Sequence, residues 1–285
     1  MNYIRLLAVV VLAAVAAAAL PAEAAQNDLQ LYRLSYFDKN ANRFRPDQAS
    51  FDKLTNELGL AMAPKFLAPA ASLGEAGFDV GFETSITMIN GDQLYWKNVT
   101  EGGTTPSMLT TGQIHFRKGL PQSFEVGTPL TYLFLSQMFS AGAEVKWSLI
   151  EGFYYVPDIC VRGAVNRTFA TRDLDLTTAG FDGAMSKTFG LFGTTQLTPY
   201  AGYSMAVVWA SSRVINATPG ESRDDGPNTL GLPVDQFVFN QMVTANNRIF
   251  GGLQFKAAVA VVGYEFMMAL GPGIQTHSFK LAVDF

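Results

Sequence analysis

Hydrophobic and polar residues alternate along most of this sequence. Between Phe78 and Met88 the even positions are mostly apolar, while the odd positions include Asp79, Glu83 and small residues. Successive side chains of a β-strand point to opposite faces, so this pattern predicts a strand with one apolar and one polar face. The same alternation recurs in further segments up to the final residue, Phe285.

The number and length of these segments favour a membrane barrel over a soluble sandwich. We count about ten segments, with 8–12 as the range, each near the ~9–11 residues of a tilted membrane-spanning strand. Strands of globular proteins average only about five or six residues. Short links lie at 119–122 and 191–196, and long polar links lie at 90–107 and 212–247. An even strand number places both long links at one end, which predicts an all-β, antiparallel up-and-down transmembrane barrel over residues 74–285.

The apolar face of the strands is the surface that such a barrel turns toward lipid. The polar face then points into the lumen, because neighbouring residues in a strand point in opposite directions. We therefore predict that one apolar set contacts lipid: Val80, Phe82, Ile86, Val145, Trp147, Val207, Leu281 and Val283.

The last seven residues end on an aromatic residue, with apolar residues at alternate positions before it. Through this ending, residues 77–285 resemble the bacterial outer-membrane β-barrel superfamily. The resemblance implies a Gram-negative outer-membrane location with both termini in the periplasm. It also implies contacts with membrane lipids and lipopolysaccharide, with other envelope proteins as further candidates. The terminal pattern would be the signal for the outer-membrane assembly machinery, carried by Phe279, Leu281, Val283 and Phe285.

The first 24 residues have the layout of a secretory signal peptide. Arg5 provides a short positive region, and an unbroken apolar run follows from Leu6 to Leu20. That run is shorter than the ~20 residues that a membrane-spanning helix needs. A small-x-small pattern ends at Ala24, so we expect the mature chain to begin near Ala25.

Residues 25–73 differ from the rest, because their apolar residues have helical spacing. Asp47 is a candidate N-cap and Gly59 a candidate helix end, and Pro64 and Pro69 prevent continuation. We predict an N-terminal periplasmic segment with one short amphipathic helix, resting on the barrel mouth. A plug that enters the lumen is the alternative. The residues with helical spacing are Phe51, Leu54 and Leu58.

Composition supports an exported membrane protein and argues against nucleic-acid binding. Charged residues make up 15% of the chain, against about 25% in typical soluble domains. The pI near 5.2 is unlike that of nucleic-acid-binding domains, which carry basic patches. Cys160 is the single cysteine, so no intrachain disulfide can form.

Charged residues on the polar strand faces would point into the lumen and need partners there. Two interpretations remain open: a salt-bridged structural lumen or a polar conduction path. We favour the first, because barrels of about eight strands are filled by side chains and open channels need about sixteen. Barrel closure would place Lys280 beside Asp79 or Glu83. The predicted lumen network is Asp79, Glu83, His115, Arg117, Glu125, Glu144, Lys146, Arg162, Glu265 and Lys280.

Candidate catalytic chemistry is weak in this sequence. His115 lies on a polar strand face, and His277 precedes Ser278 on the opposite face, so neither forms a local nucleophile-base pair. We find no metal-ligand cluster, phosphate loop or nucleophile elbow, and predict no metal or cofactor. The predicted function is a non-enzymatic outer-membrane barrel, either a narrow porin-like conduit or a closed envelope scaffold or binding protein. The alternative is an outer-membrane lipid hydrolase, acyltransferase or protease.

Overall fold

A computed structural model of the chain describes residues 29–100, 105, 107–134, 136, 138–169, 171, 173–219 and 235–285. The predicted signal peptide and cleavage site lie outside these residues. A 3₁₀ turn at Leu31–Arg33 comes first. The next elements are strands β1 (Ser35–Asp38) and β2 (Arg43–Pro46) and helix α1 (Gln48–Met62). Among the described residues, no helix is long and apolar enough to cross a membrane.

The remaining chain is dominated by long antiparallel strands. In order it contains β3 (Phe78–Met88), α2 (Leu94–Val99), β4 (Met108–Leu120), β5 (Phe124–Leu133), β6 (Met138–Ile150), β7 (Asp158–Phe169) and β8 (Leu174–Ser186). It continues with β9 (Phe189–Gly190), β10 (Thr195–Ser212), β11 (Ile215–Asn216), β12 (Gln236–Phe237), β13 (Met242–Ala257), β14 (Ala260–Ala269) and β15 (Gln275–Asp284).

Ten of the described strands close into a barrel. Each long strand pairs with the next, β10 pairs directly with β13, and β15 returns to β3 with Val283 opposite Val80. Closure leaves no open sheet edge, which is the requirement for a sheet that crosses a bilayer. The predicted all-β antiparallel barrel of about ten strands is confirmed.

The two faces of the barrel wall have the predicted polarity. Phe82 and Leu281 are 51% and 62% exposed on the outer surface, whereas Glu83 and Lys280 beside them are 1% and 3% exposed. All eight residues of the predicted lipid-facing set lie on the outer face, exposed or half-exposed. The wall is therefore apolar outside and polar inside.

The two ends of the barrel differ. The short-connection end carries the β4–β5, β6–β7, β8–β10 and β13–β14 links, and Phe78 donates its backbone N–H to the Phe285 carbonyl there. The β13–β14 turn consists of Ala258 and Val259, with Ala258 at φ 53°. The sequence offers no turn-favouring residue at this position. The opposite, long-connection end carries α2, β11 and β12.

The N-terminal segment enters the barrel from the long-connection end. Asp47 caps α1 by accepting the Ser50 N–H at 3.2 Å, as predicted. The predicted helix end at Gly59 is wrong, because α1 continues to Met62. Gly59 instead permits close packing: a Cβ on it would lie 2.3 Å from Val208 Cγ1 of the barrel wall.

Residues 63–73, which we call the lumen segment, then run through the barrel to the short-connection end. There, Gly119 donates its N–H to the Gly77 carbonyl. The prediction of a tail resting on the periplasmic mouth is wrong, and the alternative, a plug inside the lumen, is what the structure contains. The buried face of α1 needs an apolar partner, and the barrel wall near the long-connection end supplies it.

A cap closes the long-connection end. It consists of residues 29–46, α2, and the β11 and β12 region. Gln30 donates its N–H to the Val99 carbonyl at 3.0 Å, so the first described residues lie opposite Phe285. The prediction placed both termini in the periplasm, and the expected mature N-terminus near Ala25 lies outside the described residues. The apolar core of the cap joins α1 to the loops through Leu31, Phe51, Leu54, Trp96, Val99, Ile215, Phe237 and Phe239.

Candidate functional site in the barrel lumen

The ten residues of the predicted lumen network all lie inside the barrel. They project from seven strands, and each is less than a tenth exposed. Charges buried this deeply require partners of opposite sign or hydrogen-bond donors and acceptors.

Arg117 is the centre of the first group of charges. Its guanidinium lies 3.0 Å from Glu144, 3.4 Å from Glu83 and 3.6 Å from Asp79. Lys280 forms its ion pair with Asp79, at 3.0 Å. The sequence left Asp79 and Glu83 open as partners of Lys280, and the structure places Asp79 in that role.

A second group follows around the barrel. Arg162 lies 2.9 Å from Glu144 and 2.6 Å from Asp182, so Glu144 links the two groups. Lys146 pairs with Glu125 at 3.0 Å. The predicted network did not include Asp182, because β8 is rich in glycine, alanine and threonine and its apolar face is weak. The available signal was the two-residue spacing of its inward positions.

The lumen segment supplies backbone groups to these charges. Arg162 donates to the Lys65 carbonyl at 2.7 Å, and Arg117 donates to the Phe66 carbonyl at 3.2 Å. Glu265 accepts the N–H groups of Phe66 at 3.2 Å and Leu67 at 2.8 Å. A buried extended chain would otherwise leave these groups without partners.

The part of the lumen segment nearer the short-connection end is held in the same way. Lys146 donates to the carbonyls of Pro69 and Ala71, at 3.0 and 2.9 Å. Ser148 donates to the Ala70 carbonyl at 2.6 Å. The lumen segment and the charged wall therefore satisfy each other.

Two cations outside the predicted network also hold the lumen segment. Arg248, on the polar face of β13, donates to the Pro64 carbonyl at 3.1 Å and to Ser204. Lys65 belongs to the lumen segment itself and donates to the Ala61 carbonyl. Sequence patterning could not place Lys65 in the lumen, because it followed from the course of the chain and not from strand alternation.

The two histidines have different surroundings. The imidazole of His115 lies between Glu83, 3.3 Å from Nδ1, and Glu144, 3.1 Å from Nε2. His277 lies on the outer face, with Nδ1 2.8 Å from the Tyr264 hydroxyl. No serine or threonine hydroxyl contacts either ring within the described part of the chain. In that same part, no group of three His, Cys, Asp or Glu side chains is arranged to hold a metal ion.

Glu57 links α1, which we call the plug helix, to the cap. Its carboxylate accepts the Tyr95 hydroxyl at 2.8 Å and both the backbone and side-chain N–H groups of Asn90, at 3.1 and 2.8 Å. Burial of Tyr95, together with its hydrogen bond to Glu57, raises the pKa of its phenol. Tyr95 therefore stays a neutral donor to this carboxylate.

The predicted assembly signal lies on the outer face of the barrel, with three of its residues in β15 and Phe285 directly after that strand. Phe279, Leu281, Val283 and Phe285 are all at least 45% exposed. The Phe285 ring lies 5.7 Å from that of Phe78 at the short-connection end. The signal residues thus form a continuous outward strip at the strand that closes the barrel.

Comparisons with known proteins give similarity at the level of the barrel alone. No known family profile and no curated protein matches the chain. The attachment invasion locus protein Ail of Yersinia pestis is 9% identical, at a TM-score of 0.29, over 74% of this chain and 99% of that one. Neisserial surface protein A is 9% identical, at a TM-score of 0.30, over 74% of this chain and 98% of that one.

The transport unit of the autotransporter AIDA-I from Escherichia coli is 10% identical, at a TM-score of 0.32. The match covers 85% of this chain and 99% of that one. Scores this low add nothing to the closed barrel seen in the structure. The closed antiparallel barrel of the structure itself confirms, at the level of the fold, the resemblance drawn from the sequence.

Proposed function

We propose that this chain is an integral outer-membrane barrel whose own N-terminal segment closes the lumen, and that it works as a surface-exposed binding or scaffold protein. The carrying observation is the course of residues 63–73 through the lumen, with their backbone groups bound by the charged wall. A closed scaffold or binding protein is favoured over a narrow conduit, because conduction would require these contacts to break.

The membrane location follows from the outer surface. Strands of ten residues or more carry apolar side chains outward, and aromatic rings gather near both ends, as in barrels that cross a bilayer. Examples are the stacked pair Phe124 and Trp147 and the pair Tyr132 and Phe139. Membrane lipids and lipopolysaccharide are the proposed partners of this surface, and the assembly machinery is the proposed partner of the β15 strip.

The difference between the two ends supports a proposed orientation. Barrels of the outer membrane have short periplasmic turns and longer extracellular loops. On this basis we propose that Phe285 lies in the periplasm and that the cap, including residues 29–46, lies at the cell surface. We further propose that the protein is not an enzyme, because two carboxylates flank the His115 ring and no serine or threonine hydroxyl contacts either histidine ring in the described part of the chain.

An epitope tag tests the orientation. One tag is inserted at Asn40 in the exposed β1–β2 turn, and a second at Gly152 in the β6–β7 turn. Antibody should bind intact cells that carry the Asn40 tag, and should reach the Gly152 tag only after permeabilisation. Binding at Gly152 but not at Asn40 on intact cells would overturn the proposed orientation.

Bilayer recordings test the closed lumen. Purified protein in planar membranes should give no steady conductance steps. A steady, ion-selective current from the unaltered protein would favour the conduit and reject the closed scaffold.

A further inference from the structure

A cleft of about 430 Å³ lies within the cap, at the long-connection end of the barrel. The 3₁₀ turn, the β1–β2 hairpin and α2 form its walls, through Tyr32, Arg33, Ser35, Phe44, Lys97 and Asn98. None of the described residues that line it carries a carboxylate. The volume falls within the ~300–1,000 Å³ of small-ligand sites.

The two cations of this cleft have no strong partners among the residues that the structure describes. Arg33 is exposed, and its guanidinium contacts Tyr32, donating from Nε to the hydroxyl at 3.3 Å. No described carboxylate lies within ion-pair distance of Arg33. Lys97 lies 3.8 Å from Asp92, which is fully exposed, and water screens such a pair strongly. Both cations are therefore available to an anionic ligand.

The other lining groups suit a sugar. A sugar ring presents an apolar C–H face that packs on aromatic rings, and Tyr32 and Phe44 are half-buried here. Its hydroxyls need donors and acceptors, which Asn98 and Ser35 provide. We propose that the cleft binds an acidic sugar, with its carboxylate or phosphate held by Arg33 and Lys97. This inference rests on the proposed placement of the cap at the cell surface.

Two sources carry this chemistry. One is the phosphorylated or acidic sugar of lipopolysaccharide in the same membrane leaflet, and the other is an acidic glycan from outside the cell.

Calorimetry on the full-length protein in phospholipid vesicles tests the proposal. The probes are trigalacturonate and glucose 6-phosphate, with maltotriose as the neutral control. Both acids should bind at least about tenfold more tightly than maltotriose, as charge-assisted hydrogen bonds predict. The variant Arg33→Gln with Lys97→Gln should lose about tenfold or more in affinity for both acids. Heat-modifiability of that variant on gels checks that the barrel is intact.

The matched control is Lys39→Gln with Arg43→Gln, which removes two cations from the same hairpin outside the cleft. It should bind the acids as the unaltered protein does. Equal loss in both double variants, equal binding of maltotriose, or no binding of either acid would overturn the site.

Repeating the titration in vesicles that contain lipopolysaccharide separates the two sources. Blocked binding identifies the lipopolysaccharide sugar, and unchanged binding identifies an external glycan. An Asn40 tag that antibody cannot reach on intact cells overturns the proposed function. A reachable tag without acid binding overturns this inference alone.

Discussion

Trp96 of α2, in the cap, donates its indole N–H to Oε2 of Glu57 in α1, the plug helix, at 2.7 Å. Both residues are buried, at 1% and 4% exposure. Because Glu57 also holds Asn90 and Tyr95, one carboxylate binds three residues of the β3–β4 connection. The cap and the plug therefore behave as one unit.

Replacing Glu57 by Gln should loosen the cap. The amide offers one acceptor oxygen in place of two, which leaves a buried donor unsatisfied at about 1–3 kcal/mol. We expect faster proteolysis between residues 90 and 107 and a red shift of Trp96 fluorescence. The control is Asp52→Asn on the same helix, because Asp52 accepts only from Gln48 among its side-chain contacts in the described structure. Unchanged proteolysis in Glu57→Gln would contradict the coupling.

Adding a methyl group at Gly59 should displace the plug helix. The new Cβ would lie 2.3 Å from Val208 Cγ1, which is far inside van der Waals contact, and overpacking of this kind costs about 1–3 kcal/mol. We expect Gly59→Ala to lose its folded gel band after incubation at a lower temperature than the unaltered protein requires. We also expect this variant to give intermittent conductance. Combining it with Val208→Ala should recover part of the loss, and no recovery would show that α1 does not pack on β10 there.

Alternation was sufficient to predict the barrel, which face of each strand points inward, and the inward position of nine charged residues and His115, because period two is imposed by the strand itself. The course of residues 29–73 was not accessible in this way. Gly59 has the same identity whether it ends a helix or admits Val208, and only the tertiary contact decides. Similarly, Ala258 forms a tight turn against its own preference, because pairing on both sides fixes the β13–β14 register.

Lys280→Met tests whether the lumen network is structural. It leaves Asp79 with Arg117 at 3.6 Å as its one remaining ion pair in the described structure. Breaking a buried pair costs about 3–5 kcal/mol. The folded gel band of this variant should therefore disappear after incubation at a lower temperature than the unaltered protein requires. The double variant Lys280→Met with Asp79→Asn should recover most of the loss. Equal stability of Lys280→Met and the unaltered protein would mean that water screens these charges.

Glu151 should make the short-connection end sensitive to acid. Partial burial raises the pKa of its carboxyl, but hydrogen bonds from the Ser123 hydroxyl and from the Ser72 N–H and hydroxyl outweigh burial and lower it. The stabilisation is present above the unfolded-state pKa, near ~4.3, and is lost as the pH falls through the lower folded-state value. Glu151→Gln should flatten that part of the stability–pH curve. An unchanged curve would show that Ser72 is held by other contacts.

Arginine placed on either side of the β6 wall separates a filled lumen from an open one. Val145 is 50% exposed on the outer face, where arginine near the membrane centre costs about 2–4 kcal/mol. Ser148 is inward, and a water-filled lumen would solvate arginine there and make Ser148→Arg the milder change. The observed lumen is occupied at that point, because Ser148 donates to the Ala70 carbonyl. We therefore expect Ser148→Arg to lower the free energy of unfolding by at least as much as Val145→Arg, measured by urea unfolding from phospholipid vesicles. Val145→Leu is the neutral control. A clearly milder Ser148→Arg would show that water, and not the lumen segment, fills this part of the barrel.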